Sequence, residues 1–313
     1  MKTRTFRDNL IMVEKRRIIE SFLLTDETMT SPKTLLIFHN IRPKKQLGQH
    51  FLANQNTAEM IVNRSGILPE DVVLEIGAGL GALTIPLARV AREVFAVEKD
   101  RKIIDILKTE ILASNLSNVV IMEKNILNID IKSLAEDIGQ KLVVMGNLPY
   151  NISSQILVQL IKYRAALTRA VFMIQKELAQ RITAQPGCKD YGRLSVMLGY
   201  CANIKKIADV KASVFFPKPK VDSEVLELRF KKRLKYPAND EAYFFSVIKA
   251  AFGNRRKILK NALAASELNI DTNFAQNILE RSGIDPVRRA ETLTIEEFVR
   301  LSNNLGSGAL PVC

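Results

Sequence analysis

The amino-acid sequence predicts an α/β protein: a doubly wound, Rossmann-like sheet followed by a small C-terminal α-helical domain. From Val72 onward, short apolar runs alternate with amphipathic segments, which is typical of parallel strands joined by helices that cover both faces of a sheet. After Arg233 the strand-like runs stop. Apolar residues then recur at the spacing of short helices, with breaks at Gly283 and Pro286.

The predicted elements follow one another in a regular order. Strands are predicted at the apolar runs Val72–Ile76, Val94–Val97, Val119–Met122, Leu142–Met145 and Ala170–Ile174. Helices are predicted at the amphipathic segments Leu80–Val90, Arg101–Ala113 and Ser153–Tyr163. A closing antiparallel pair is predicted from Lys205–Val210 and Val225–Phe230. The C-terminal helices are predicted at Glu241–Ala251, Arg255–Ala265, Thr272–Ser282 and Thr294–Leu301.

The same patterns predict the domain boundaries. We place the sheet domain at residues 41–232, the helical domain at residues 233–303 and a tail at residues 304–313. Residues 1–40 are polar and of mixed charge, apart from one amphipathic stretch from Leu10 to Leu24. We interpret them as an N-terminal extension, either disordered or the result of a start codon assigned too early, with Met29 as the true first residue.

The composition narrows the class of partner. The 313 residues include 46 Lys and Arg against 33 Asp and Glu, a net charge of +13, which favours a nucleic acid over a membrane surface. A basic enzyme with a small-molecule substrate remains compatible with this charge. No apolar run is long enough to cross a bilayer. Three cysteines without a CxxC pair, and only two histidines, predict a cytoplasmic protein with neither a disulfide framework nor a metal site.

A glycine-rich motif follows the first predicted strand. Gly77 and Gly79 allow the backbone to pass close to a ligand, and Glu98 stands 21 residues beyond Gly77 at the end of the second strand. An acid at that place binds the ribose hydroxyls of an adenosine in doubly wound folds. The spacing Gly77-x-Gly79-x-Gly81 is shorter than the dinucleotide pattern, which favours S-adenosylmethionine. A nicotinamide enzyme of the same architecture is the alternative.

The run Leu142–Met145 leads, after one glycine, into Asn147-Leu148-Pro149-Tyr150. The side-chain oxygen of Asn147 and the backbone carbonyl of Leu148 can both accept hydrogen bonds from a planar amino group. Pro149 fixes its own φ angle, and Tyr150 offers a flat face for stacking. We therefore predict methyl transfer to the exocyclic amine of a base, with these four residues as the catalytic corner.

These motifs occur together with others in a particular order. The order resembles the KsgA-type small-subunit rRNA adenine dimethyltransferases from about residue 42 to about residue 303. The motifs that carry the resemblance are Gln46–Leu52, Glu75–Gly81, Glu98, Asn147–Tyr150, Phe215–Ser223, Phe252–Lys257 and Arg289–Glu291. The resemblance implies a methyltransferase sheet that binds S-adenosylmethionine, and a helical domain that binds RNA.

The resemblance also implies roles for single residues. Seven residues would bind the cofactor: His50, Leu52, Gly77, Gly79, Glu98, Asn125 and Asn147. Asn125 stands where the family commonly has an Asp, and its amide oxygen can still accept a hydrogen bond from the adenine of the cofactor. Four further residues would bind RNA: Phe215, on the second face of a target base held by Tyr150, and the basic residues Arg255, Arg256 and Lys257. A second basic pair is Lys44-Lys45.

The implied function is dimethylation of two adjacent adenosines near the 3′ end of small-subunit rRNA, by a monomer that acts on a pre-ribosomal particle. One alternative is the related family that methylates large-subunit rRNA and confers macrolide resistance. Another is an assembly or RNA-binding factor without catalytic activity. The segments Phe215–Ser223 and Phe252–Lys257 favour the first reading, and the intact Asn147–Tyr150 motif argues against lost catalysis.

Overall fold

The protein, represented by a computed structural model, is described here for residues 30–254 and 256–308. Its main sheet has seven strands in the order β4-β3-β2-β5-β6-β9-β7. These are β2 (Val72–Ile76), β3 (Glu93–Glu98), β4 (Val119–Glu123), β5 (Leu142–Asn147), β6 (Leu167–Gln175), β7 (Ala202–Val210) and β9 (Ser223–Phe230). Two short strands, β1 (Phe51–Leu52) and β8 (Phe215–Phe216), form a separate antiparallel pair.

The sheet is parallel from β4 to β6 and antiparallel at the β6–β9 and β9–β7 edges. The predicted closing pair is therefore confirmed, with the addition that β9 also pairs with β6. Because the carboxyl ends of parallel strands meet at one edge, the segments that follow β2, β3, β4 and β5 lie side by side. The crevice at such an edge is where ligands bind in open α/β sheets.

Twelve α-helices are described in residues 30–254 and 256–308, in this order: α1 (Pro32–Phe38), α2 (Gln55–Ser65), α3 (Thr84–Ala88), α4 (Arg101–Ala113), α5 (Ile131–Ile138), α6 (Ser153–Tyr163), α7 (Lys176–Thr183), α8 (Arg193–Cys201), α9 (Glu241–Ala251), α10 (Leu259–Ala264), α11 (Thr272–Arg281) and α12 (Ile295–Gly308). Helices cover both faces of the sheet. Leu74 and Val144 face a core shared with α5–α12, whereas Val73 and Val143 face a second core with α2 and α3. This alternation confirms the doubly wound fold.

The helix predicted at Leu80–Val90 is wrong at both ends, since α3 is only five residues long. The segment before it turns at Gly79 and Gly81, whose φ angles are +56° and +91°. A right-handed helix cannot contain residues in this region, so the chain cannot enter a helix until the glycines have passed.

The C-terminal helices share one apolar core with a face of the sheet, through residues such as Phe244 and Phe298. The prediction of a helix from Arg255 is wrong at its start. The amides of Leu259 and Lys260 donate to the carbonyl oxygens of Arg288 and Pro286, and the helix begins there.

Both predicted ends of the folded part need correction. The tail predicted at residues 304–313 begins too early, since α12 runs to Gly308 and Leu305 is completely buried. Within the predicted extension, α1 buries Leu35 and Leu36 against Ile103 and Ile106 of α4. The stretch Leu10–Leu24 and the proposed start at Met29 lie outside the described residues.

Candidate active site

A cavity opens at the carboxyl ends of β2, β3, β4 and β5. It encloses about 1050 Å³ including its open mouth, which is enough for a nucleoside-sized ligand. Its walls come from five chain segments, within residues 46–51, 76–79, 97–99, 124–127 and 147–152. The glycine motif, Glu98, Asn125 and the Asn147–Tyr150 corner therefore share one cavity, although they are far apart in the sequence.

Gly146 explains why the corner lies so close to the glycine motif. A Cβ atom at residue 146 would lie 2.3 Å from the carbonyl oxygen of Ile76, so no larger residue fits between β5 and β2. A Cβ atom on Gly77, the residue that follows β2, would lie 3.7 Å from the carbonyl oxygen of Asn147. Gly77, at φ +72°, and Gly146 thus bring two backbones together at the cavity floor.

Asn147 presents a buried acceptor with nothing bonded to it. Its Nδ2 donates to the carbonyl oxygen of His50 at 3.0 Å, and this bond fixes which way the amide faces. Its Oδ1 is buried and has no hydrogen-bond partner. The amide of Leu148 donates to the carbonyl oxygen of Met173 at 3.0 Å, which anchors the corner to β6. An unpaired buried acceptor costs about 1–3 kcal/mol, so its presence points to a ligand group that donates to it.

Tyr150 and His50 form the wall beside this acceptor. Their rings are stacked, with centroids 5.3 Å apart and planes inclined by 28°. His50 Nδ1 lies 2.7 Å from the carbonyl oxygen of Pro217, and because a carbonyl only accepts, Nδ1 carries the proton. The Tyr150 hydroxyl is 3.2 Å from Ser223 Oγ, and burial raises the pKa of Tyr150, which keeps the phenol neutral.

Glu98 lies at the opposite end of the cavity. Its Oε1 accepts from the amides of Lys99 and Asp100, at 2.8 and 2.9 Å, and its Oε2 accepts from Gly79 at 3.0 Å. A carboxylate oxygen can accept two hydrogen bonds, so Oε2 retains a site for a ribose hydroxyl. Burial raises the pKa of Glu98 above its usual range, and the three amides oppose this effect in part.

Behind the glycine motif, Glu75 is 1% exposed and accepts a hydrogen bond from the Thr84 hydroxyl at 2.6 Å. Burial raises the pKa of Glu75 to about 8, against the opposing effect of Thr84. Glu75 therefore ties β2 to α3 as a neutral carboxylic acid at pH 7.

Asn125 lies where β4 has ended and lines the cavity. Its Oδ1 accepts from the amide of Leu127 at 3.2 Å and caps a short helical turn. An amide oxygen can accept a second hydrogen bond, so this cap leaves room for the predicted contact with an adenine amine.

The structure does not bring the side chains of Leu52 and Phe215 to the cavity. They are paired across β1 and β8, are 5% and 4% exposed, and pack in the core with α2. Neighbouring residues of a strand face opposite sides, so Phe51 lines the cavity instead and lies against Gly79. The predicted roles of these two side chains therefore need correction for this conformation.

The predicted basic residues also lie away from the cavity. Arg256 and Lys257 are exposed in the turn before α10, and Arg255 lies outside the described residues.

Sequence reasoning missed the contribution of Gln46–Gln49 to the cavity wall, although it had identified the motif that contains them. Among the described residues, no group of three His, Cys, Asp or Glu side chains could hold a metal ion.

A family model described as ribosomal RNA adenine dimethylase matches residues 40–306. The chain belongs to the ribosomal RNA adenine dimethylase family. The protein is thus an S-adenosylmethionine-dependent rRNA adenine dimethyltransferase. The donor set fits this cofactor: the cavity offers a glycine floor, the free acceptor site on Glu98 and the amide oxygen of Asn125, which can accept from an adenine amine.

Individual relatives agree with the family assignment. The chain is 52% identical over 279 residues to a ribosomal RNA small subunit methyltransferase A from Desulforapulum autotrophicum, covering 89% of this chain and 98% of the relative. It is 42% identical to the protein of the same name from Magnetococcus marinus, covering 87% and 95% of the two chains.

Two solved structures share this fold. A dimethyladenosine transferase from Plasmodium falciparum superposes with a TM-score of 0.68 at 26% identity, covering 80% of this chain and 95% of that one. The 23S rRNA methyltransferase ErmE superposes with a TM-score of 0.60 at 23% identity, covering 82% and 99%, and this likeness concerns the fold alone. Within residues 30–254 and 256–308, no helix of the dimethylase is long and apolar enough to cross a membrane.

Proposed function

We propose that this dimethylase acts on two adjacent adenosines near the 3′ end of small-subunit rRNA, as a cytoplasmic monomer that binds a pre-ribosomal particle. The unpaired, buried Oδ1 of Asn147 is the observation that carries the proposal, because an exocyclic amine supplies the donor that it lacks. The two relatives named as small subunit methyltransferases support the choice of subunit, since the match extends over nearly their whole length.

In the proposed mechanism, S-adenosylmethionine supplies an electrophilic sulfonium methyl group. Glu98 and the glycine floor orient the cofactor, and Asn147 orients the acceptor amine beside it. The lone pair of an adenine amine is delocalised into the ring. Hydrogen bonds from the amine to Asn147 Oδ1 and to the Leu148 carbonyl oxygen draw the nitrogen toward tetrahedral geometry and make its lone pair available. Catalysis then consists of positioning and electrostatic stabilisation by groups that are already in place.

The target adenine must leave its stack to reach this acceptor. Stacking on an aromatic ring offsets that cost by about 1–3 kcal/mol per base, and Tyr150 is the aromatic residue beside Asn147. In the present conformation His50 stacks on Tyr150. A base can therefore bind there by displacing the His50 ring or by using the other face of Tyr150.

The proposal is tested by methyl transfer from radiolabelled S-adenosylmethionine to small subunits from cells that lack this modification, with large subunits as the control. We expect label in small-subunit RNA, in dimethyladenosine at two neighbouring positions. Label in large-subunit RNA instead would overturn the choice of substrate. Tight binding to small subunits without label on either particle would favour the non-catalytic alternative.

A further inference from the structure

Asp100 is a buried carboxylate next to the cavity with partners from a distant part of the chain. It is 5% exposed and caps the start of α4. Its Oδ2 lies 2.8 Å from Lys44 Nζ and accepts from Gln49 Nε2 at 3.0 Å. Gln49 Oε1 in turn accepts from the amide of Lys44 at 2.7 Å. The side chains of Lys44, Gln49 and Asp100, joined into a ring by the backbone amide of Lys44, form a network that we call the latch.

The latch holds the segment 44–51, of which residues 46–51 line the cavity. Between the two latch residues of this segment, Asn151 Nδ2 donates to the carbonyl oxygen of Gln46 at 3.1 Å, which fixes the segment beside the catalytic corner. Gly48, at φ +62°, lets the segment approach closely, because a Cβ atom there would lie 3.4 Å from the amide nitrogen of Tyr150.

Two hydrogen bonds connect the latch with Glu98, on the side of the methyl donor, and with Asn147, on the side of the amine that is methylated. Next to Gln49, the carbonyl oxygen of His50 accepts from Asn147 Nδ2, the bond that directs Asn147 Oδ1. On the cofactor side, the amide of Asp100 donates to Glu98 Oε1 at 2.9 Å. Asp100 thus contacts Glu98 directly and reaches Asn147 through Gln49 and His50.

We propose that Asp100 is a positioning residue, which through Lys44 and Gln49 holds the segment 44–51 closed and sets the orientation of Asn147 relative to the cofactor. The inference rests on the proposed roles of Glu98 and Asn147. Lys44 then serves the latch, rather than the RNA contact predicted for the pair Lys44-Lys45.

The negative charge of Asp100 contributes to the latch. Burial opposes ionisation of Asp100, but the hydrogen bonds from Lys44 and Gln49 and the charge of Lys44 outweigh it, so the pKa of Asp100 lies below its usual range. Replacement by Asn removes the charge and keeps a residue that caps helices equally well, so Asp100→Asn should fold.

The test compares Asp100→Asn and Lys44→Met with the parent protein, without RNA. We expect the dissociation constant for S-adenosylhomocysteine, measured by calorimetry, to rise roughly tenfold, as for the loss of one charge-assisted hydrogen bond. We also expect faster amide hydrogen exchange in the segment 44–51 of the cofactor-free protein. In methyl transfer, kcat should fall because Asn147 loses its fixed orientation.

Asp71→Asn is the matched control. Asp71 forms a partly buried ion pair with Arg169 at 2.8 Å, just before the amino end of β2, whereas the cavity lies at the carboxyl end of that strand. This control should lower the melting temperature and leave both the affinity for S-adenosylhomocysteine and the exchange of segment 44–51 unchanged. Equal behaviour of Asp71→Asn and the two latch variants would overturn the proposal. A parent protein that binds S-adenosylhomocysteine but labels no small subunits would contradict the proposed substrate alone.

Discussion

The cavity edge of the sheet and the C-terminal helices use polar residues in opposite ways. At the cavity, Asn147 keeps a buried oxygen without a partner and Glu75 is a carboxyl group sealed from water. In the helical part, within residues 234–254 and 256–306, no buried side-chain nitrogen or oxygen lacks a partner. There, Thr294 and Glu297 form a reciprocal capping box, and Arg288 pairs with Glu297 at 2.6 Å.

This difference separates residues that are kept for chemistry from residues that are kept for stability. Unpaired or neutralised polar groups reduce the free energy of unfolding. Arg169 Nε and Tyr191 Oη also lack partners but lie away from the cavity, so an unpaired atom indicates a ligand site only together with its position, as for Asn147 in the cavity wall. Substitutions at the cavity should therefore act on catalysis, and substitutions in the helical part should act on stability.

The largest expected effect is on catalysis at Asn147. Asn147→Ala removes the acceptor oxygen and should slow single-turnover methyl transfer by about a thousandfold, the upper range for loss of one preorganised polar group. Binding of S-adenosylhomocysteine should largely survive, and the free energy of unfolding should change little because an unpaired acceptor is lost. Turnover at the parental rate would refute the proposed mechanism.

The matching substitution in the helical part acts on stability alone. Phe298 is completely buried beside Phe252, so Phe298→Ala should lower the free energy of unfolding by about 3–5 kcal/mol in urea titrations. Below the unfolding transition, the affinity for S-adenosylhomocysteine should equal that of the parent. A loss of affinity for S-adenosylhomocysteine without a loss of folding stability would contradict the assignment of the helical part to stability alone.

Glu75 gives a pH-dependent test. The folded protein keeps the Glu75 proton up to a pKa of about 8, whereas the unfolded chain releases it near 4.5, so this group lowers stability as pH rises through that window. Glu75→Gln removes this penalty. We expect the variant to gain on the order of 4 kcal/mol of stability at pH 8 and almost none at pH 4. An equal gain at both pH values would show that the carboxyl group is not neutral in the folded protein.

The smallest expected effect comes from the capping box. Thr294→Ala removes the oxygen that accepts from the amide of Glu297, at 3.2 Å, and should cost about 1 kcal/mol of stability. Methyl transfer should keep its parental rate at 25 °C. A change in transfer rate that exceeds the change in folded fraction would place α12 in the catalytic machinery.

Much of the fold could be predicted from local patterns. The apolar runs gave the central strands and their order of connection, because a strand buried on both faces leaves a continuous apolar run. The helix after Gly79 was predicted too long, because positive φ angles at Gly79 and Gly81 are set by close contacts that periodicity does not report.

The site residues could be predicted where a sequence motif indicates the chemistry of its residues, as at Asn147 and Glu98. They could not be predicted where the direction of a side chain determines whether it reaches the cavity. Leu52 and Phe51 are neighbours in a two-residue strand, too short for its alternation to indicate which of them faces the cavity. The pairing of Lys44 with Asp100 joins residues far apart in sequence, and only the folded chain brings them together.

The central claim is that Asn147 Oδ1 accepts a hydrogen bond from the amine that is methylated. The most direct measurement compares single-turnover transfer to small subunits by the parent, Asn147→Asp and Asn147→Ala. Asp keeps an acceptor oxygen but gains a charge and loses the Nδ2 donor to His50, so we expect a rate below that of the parent and well above the rate with Ala. Equal rates for the two variants would contradict it, because the donor to His50 would then be the part of Asn147 that matters.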